Sequence, residues 1–109
     1  AAKAASDDKF LHLAIEIIEQ NLSNTSFNVD MLAQASGMSR TQFFKKFNAV
    51  AGMQPNDYIR QYRLKRAAYL FNQGRADIAQ VSYEVGFEYP NYFSRCFKEE
   101  FGKSPSDFI

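Results

Sequence analysis

The sequence predicts an all-α fold, and three observations carry that prediction. Gly 5 and Pro 3 are few in 109 residues, and no run alternates β-branched with polar side chains as a half-buried strand would. Apolar side chains recur instead at three- and four-residue spacing. The third observation is a repeat. The middle of the chain reads Ala33-Gln-Ala-Ser-Gly37, Phe43-Phe-Lys-Lys-Phe47 and Gly52-Met-Gln-Pro55-Asn-Asp-Tyr58; its end reads Ser82-Tyr-Glu-Val-Gly86, Phe93-Ser-Arg-Cys-Phe97 and Gly102-Lys-Ser-Pro105-Ser-Asp-Phe108. Gly37 and Gly86 lie 49 apart, whereas Phe47 and Phe97, Gly52 and Gly102, and Pro55 and Pro105 lie 50 apart, so the copies differ by one residue inserted just after the first glycine. A small residue, a glycine turn and an amphipathic helix form the local pattern of a helix-turn-helix. The expected architecture is seven helices, with two helix-turn-helix subdomains joined by a long linker helix.

Each element follows from local signals. Over residues 8–21, Leu11, Ile15, Ile18 and Leu22, joined by Ala14, form one apolar stripe. Residues 21–28 are rich in Asn and Ser and read as a loop. Asn28 caps a short helix at about 29–36, with Met31 or Leu32 and Ala35 inward, and Gly37 ends it in a left-handed turn. Ser39 caps a helix of about 40–51 that Gly52 ends. Pro55 suits the first turn of a helix running to about 72. Asp77 caps 78–85, Pro90 opens a helix of about 90–101, and Ser104-Pro105 starts a last one. Short turns make this one domain over 1–109, with a first lobe at 8–52, the linker helix at 55–72 and a second lobe at 77–109.

Composition narrows the function. Hydrophobic residues make up 46 %, enough for a core. The single cysteine, Cys96, cannot close an internal disulfide, which fits a reducing, cytoplasmic setting. No stretch approaches the ~18 apolar residues of a membrane span, and the start lacks a signal-peptide core. Without an initiator Met, the chain reads as a piece of something longer. Charge is unevenly placed: residues 1–38 are net −3, residues 39–75 net +7 and residues 76–109 net −3. The basic middle is either an electrostatic footprint for nucleic acid or a solvated face. Catalysis has little support. His12 stands alone, Cys96 reads as packing filler, the carboxylates of Glu99 and Glu100 splay apart, and no metal-ligand spacing or phosphate loop exists. No cofactor is expected.

The helices after the two turns carry the binding chemistry. In the first, Phe43, Phe47 and Val50 face one way; Thr41, Phe44, Lys45 and Asn48 face the other, flanked by Arg40 and Gln42. In the second, Phe93, Phe97 and Phe101 face in, while Asn91, Ser94, Arg95 and Lys98 face out. A central cation among small amides and hydroxyls suits base edges: Arg or Lys donates to guanine, Asn pairs with adenine, and Ser or Thr fits either. Phe44 can touch a thymine methyl or a deoxyribose, or fold back onto the 29–36 helix. On the linker helix and just beyond it, Arg60, Lys65, Arg66 and Arg75 can neutralise phosphates. Arg63 is expected to be structural, paired with an acid such as Asp57 or Glu84. The helix starts near Ser39 and Tyr89 can offer N–H groups to phosphates.

At these residues the chain resembles the DNA-binding domain of the AraC/XylS family of bacterial transcription regulators. The match is densest over Ile78-Ala-Gln-Val-Ser-Tyr-Glu-Val-Gly-Phe87, Tyr92-Phe-Ser-Arg-Cys-Phe-Lys98 and Phe101-Gly-Lys-Ser-Pro105, with Pro55-Asn-Asp-Tyr-Ile-Arg-Gln-Tyr-Arg-Leu-Lys-Arg-Ala67 similar to the family's linker helix. Asp8-Lys9-Phe10-Leu11, Ile18-Glu19-Gln20-Asn21-Leu22 and Met38-Ser39-Arg40 further resemble output domains of hybrid two-component sensors. The resemblance implies sequence-specific binding of double-stranded DNA, with each lobe's second helix in a major groove. Base-reading positions would be Arg40, Thr41, Phe44 and Lys45, then Asn91, Ser94 and Arg95. Phosphate contacts would come from Ser39, Gln42, Arg60, Lys65, Arg66 and Lys98. RNA polymerase is the implied protein partner, with no membrane contact and any dimerisation through regions outside this chain.

Three departures from the family stand out. Phe44 replaces a usually polar residue, Glu88 stands where Ser or another small cap is usual, and the second lobe is acidic. A linker of 55–72 is about 27 Å long at ~1.5 Å per residue, against ~34 Å between successive major grooves on one DNA face. Reading helices held closer than one turn require either DNA bending, at about 1–6 kcal/mol, or weak engagement of one lobe. The competing function is a helical protein-interaction module docking through Phe44 and the acidic flanks.

Overall fold

The computed structural model describes residues 2–109. Among them are seven helices: α1 (Ala2–Gln20), α2 (Val29–Ala35), α3 (Arg40–Ala51), α4 (Pro55–Asn72), α5 (Ile78–Glu84), α6 (Pro90–Phe101) and α7 (Pro105–Phe108). They form two compact units, one of residues 1–21 and 27–59 and one of residues 22–26 and 60–109.

The ends of these helices are set by local chemistry. The side chains of Asn28, Ser39, Asp77 and Ser104 each accept a hydrogen bond from a first-turn N–H, of Met31, Gln42, Gln80 and Asp107. Ser39 and Gln42 complete a reciprocal capping box, with both bonds 3.2 Å. The two short helices stop in the same way. Gly37 N–H donates to the Gln34 carbonyl and Met38 N–H to that of Ala33; Gly86 N–H donates to Tyr83 and Phe87 N–H to Ser82. These are paired Schellman bonds, made by a left-handed residue after the helix. The unequal repeat is explained here. One residue separates Gly37 from the next helix's N-cap, Ser39, whereas two separate Gly86 from Tyr89. The expected weak cap is found at Tyr89 rather than at Glu88, because the N-cap lies one residue further on, and its side chain makes no capping bond.

In the first unit α1 begins at Ala2, earlier than expected, since an alanine-rich start needs no cap to remain helical. Its buried face is Phe10, Ala14, Ile17 and Ile18; Leu11 and Ile15 are only half-buried. The helix is turned so that the Phe10 ring meets Phe43 at 5.6 Å and Phe47 at 6.4 Å. In α2 the inward residues are Val29, Leu32 and Ala33. Of the two alternatives Met31 and Leu32, Leu32 is the inward one; Ala35, expected inward, is exposed, because the helical period puts it and Met31 across from that face.

The core of the second unit joins Leu64, Ala67 and Phe71 of α4 to Val81, Val85, Phe87, Phe93, Cys96 and Phe97. Ser82 is fully buried and satisfies its hydroxyl by donating to the Ala79 carbonyl at 2.7 Å. Arg63 is turned onto the chain's own backbone, and the second acid expected for it, Glu84, is held by Arg75 instead. The Arg63 Nη2 donates to the Asn24 carbonyl at 3.0 Å, and its Nε is buried without a partner. Burial pushes its ionisation downward from an ordinary guanidinium. A Cβ on Gly86 would strike the Leu22 carbonyl and lie 2.7 Å from the Arg63 guanidinium.

Gly52 and Gly86 therefore respond differently to alanine. Both are left-handed, with φ of 73° and 93°. Gly52→Ala is expected to cost about 1–2 kcal/mol from backbone strain alone. Gly86→Ala adds a collision with backbone and guanidinium and should cost roughly 3 kcal/mol or more. Urea unfolding of the two variants tests this, and equal losses would refute the packing role of Gly86.

Candidate nucleic-acid interface

The buried faces of α3 and α6 determine what they show to solvent. Phe43 and Phe47 are fully buried in α3, stacked at 5.5 Å, with the Tyr58 ring 5.2 Å from Phe47. Thr41 and Lys45 are thereby exposed, together with Arg40, and Phe44 is half-buried. The four side chains line one open groove of about 460 Å³. The Arg40 guanidinium lies 5.4 Å above the Phe44 ring. Its Nε is also 3.4 Å from the Asp30 carboxylate of α2, with side chains 62 % and 60 % exposed. An ion pair so wet contributes about 0–1 kcal/mol and yields readily to another anion. Asp30 sits among the predicted readers, and nothing in its sequence neighbourhood signals that, because an acid after an Asn cap is ordinary first-turn chemistry. Phe44 is thus neither folded into the core nor bare.

In α6, Phe93 and Phe97 are fully buried and Cys96 nearly so. Asn91, Arg95 and Lys98 are exposed; Ser94, expected outward, is half-buried. The Arg95 guanidinium lies 5.3 Å over the Tyr92 ring. Lys98 stands in the last turn, where a cation also complements the helix dipole.

The expected phosphate contacts divide. Ser39 and Gln42 are exposed, but their side-chain oxygens already serve the capping box. The Ser39 hydroxyl hydrogen and the Gln42 amide nitrogen remain as donors. Lys65 is exposed and shares an open groove of about 590 Å³ with Tyr62, Arg66, Tyr69 and Leu70. Arg60 and Arg66 are half-buried and already engage other groups of the chain. Arg75, expected as an exposed cation, is instead held by Glu84 in a two-pronged bond of 2.9 and 2.7 Å. Among the described residues no cluster of His, Cys, Asp and Glu can hold a metal ion, and no helix is long and apolar enough to cross a membrane.

Comparison with known proteins places this arrangement in a class. A family model described as a helix-turn-helix domain matches residues 32–109. The chain belongs to this family, the AraC-type DNA-binding domains of transcription regulators. Its sequence is 42 % identical over 102 residues to a histidine kinase, P4, of Formosa agariphila, covering 94 % of this chain and 7 % of that protein. Its fold is similar to the C-terminal domain of the two-component response regulator yesN of Fusobacterium nucleatum, with TM-score 0.84, 26 % identity, and coverage of 89 % and 94 % of the two chains. It is also similar to a transcriptional regulator of Chromobacterium violaceum with an AraC-type DNA-binding domain, with TM-score 0.83, 28 % identity, and coverage of 95 % and 92 %. The chain spans only about a third of other curated relatives it matches.

The Arg75–Glu84 pair gives a pH signature separate from binding. The hydrogen bonds from Arg75, aided by Gln80, hold the Glu84 carboxyl below the usual carboxylate range. A depressed carboxylate adds stability above the unfolded value of about 4.3 and loses it as pH falls through the lower native value. Glu84→Gln is expected to flatten that acid limb while leaving the slope near neutral pH unchanged. Urea unfolding between pH 3 and 7 measures it, and parallel curves for both proteins would show that the pair contributes nothing.

Proposed function

We propose that this chain is a transcription-regulating DNA-binding domain in which α3 and α6 are the two reading helices, each entering a major groove, the two grooves successive. One observation carries the reading. Two helices of 12 residues each bury a pair of phenylalanines on one side and present a cation among small polar groups on the other. That set of donors and acceptors matches base edges. Arg40, Thr41, Phe44 and Lys45 read one half-site; Asn91, Ser94 and Arg95 read the other. Ser39, Gln42, Arg60, Lys65, Arg66 and Lys98 meet phosphates and set the register. The two outward sets differ, so the half-sites differ and the element is not a palindrome.

The wider role rests on the relatives. A histidine kinase and a response-regulator domain stand among them, which supports an output domain of a hybrid two-component sensor acting in the cytoplasm. Such a domain catalyses nothing itself. It works by recruiting RNA polymerase, and any dimerisation lies in regions outside this chain.

Selection of bound duplexes from random DNA tests the reading. It should return one element of about 20 base pairs with two dissimilar patches; no enrichment would end it. On that element Arg95→Ala should cost about 1–3 kcal/mol and relax preference at one base pair. Equal loss on random DNA would remove the base-reading role. Lys98→Ala should weaken binding to all sequences alike and reduce the salt slope of log affinity by about 1.

A further inference from the structure

Tyr92 has no part in the reading above, yet its ring is anchored at the outer side of α6. It is 42 % exposed. Its ring centroid lies 6.0 Å from that of Phe87, which is buried in the turn before α6. Its hydroxyl lies beside Cys96, one turn along, and Arg60 of α4. Cys96 and burial push the Tyr92 hydroxyl up, opposed by Arg60, so the phenol stays neutral at physiological pH. The ring is thus held against Phe87, and the Arg95 guanidinium rests 5.3 Å over its face. A surface arginine samples many rotamers, but two-pronged donation to a base edge needs one of them.

We propose that Tyr92 is a positioning residue for DNA reading: its anchored ring is the shelf that holds the Arg95 guanidinium in the orientation from which α6 reads a base pair. The inference rests on the reading role of Arg95 proposed above. The same device stands on the other reading helix, where Arg40 lies 5.4 Å over the ring of Phe44. The spacings differ, since Arg40 precedes its ring by four residues and Arg95 follows its ring by three. Both bring the guanidinium and the ring to the same side of a helix. The attraction of a guanidinium to a π-face at exposed sites corresponds to about a 2- to 5-fold effect. That suffices to bias one rotamer without fixing the arm irreversibly.

The experiment uses the duplex selected by the wild-type chain and its single-base-pair substitutions. Arg95→Ala locates the pair that Arg95 reads. Tyr92→Phe keeps the ring and removes the hydroxyl; Tyr92→Leu and Tyr92→Gln remove the ring with two different shapes, and melting curves confirm folding. The ring-free variants should lose about 2- to 5-fold of the preference at that one pair and keep the preferences elsewhere. Tyr92→Phe should retain it. In the Arg95→Ala background, Tyr92→Leu should change the preference no further. Ring-free variants that weaken all sequences alike, or that keep the preference, overturn the inference and leave the reading role of Arg95 intact. An Arg95→Ala variant that keeps every preference removes both.

Discussion

Phe43 and Phe47 under α3, and Phe93 and Phe97 under α6, have no exposed surface, and the outward chemistry of both helices depends on that. A helix turns about 100° per residue, so an inward face chosen at two positions leaves no freedom in the outward one. Each buried ring is worth about 1.5–3 kcal/mol relative to exposure. Swinging either helix by one residue would forfeit roughly twice that, against about 0–1 kcal/mol for a surface ion pair such as Arg40–Asp30. Hydrophobic burial therefore aims Thr41, Lys45, Asn91 and Arg95, and the polar contacts around them adjust to it.

The duplication is close in its apolar frame and loose where solvent begins. Both turns use a left-handed glycine and the same pair of backbone bonds. The first then reaches a serine that caps α3 reciprocally; the second carries an extra residue and reaches Tyr89, which caps nothing. The start of α6 relies instead on Pro90, whose ring presets the first helical φ and whose missing N–H needs no partner. One fold thus presents two reading helices with unlike entrances and unlike side chains.

Two cations that look alike in the sequence are used inside the second unit. Arg63 lies along Gly86, with its head at the Asn24 carbonyl, and the absent Cβ of Gly86 makes the room. Arg75 crosses from the end of α4 to Glu84 on α5. Arg63 is turned onto the chain's own backbone and the charge of Arg75 is offset by Glu84, so the net +7 of residues 39–75 overstates what a phosphate backbone would meet.

The sequence by itself determined where the helices after α1 begin and end and which faces of α3 and α6 are buried. Caps such as Ser39 and Asp77, prolines at helix starts and glycines at helix ends act within about four residues, so their information is local. The rotation of α1 was not legible, because Phe10, Leu11, Ile15, Ile17 and Ile18 leave several apolar stripes of similar quality. Only the position of Phe43 and Phe47 selects the stripe containing Phe10. Tertiary structure alone decided the partners of Arg63 and Arg75 and joined Arg40 to Asp30. An arginine head sits at the end of a long flexible stem, and what it finds there depends on folded geometry: Asn24 is 39 residues from Arg63. Backbone conformation answers to neighbours in sequence, whereas the use of a charge answers to neighbours in space.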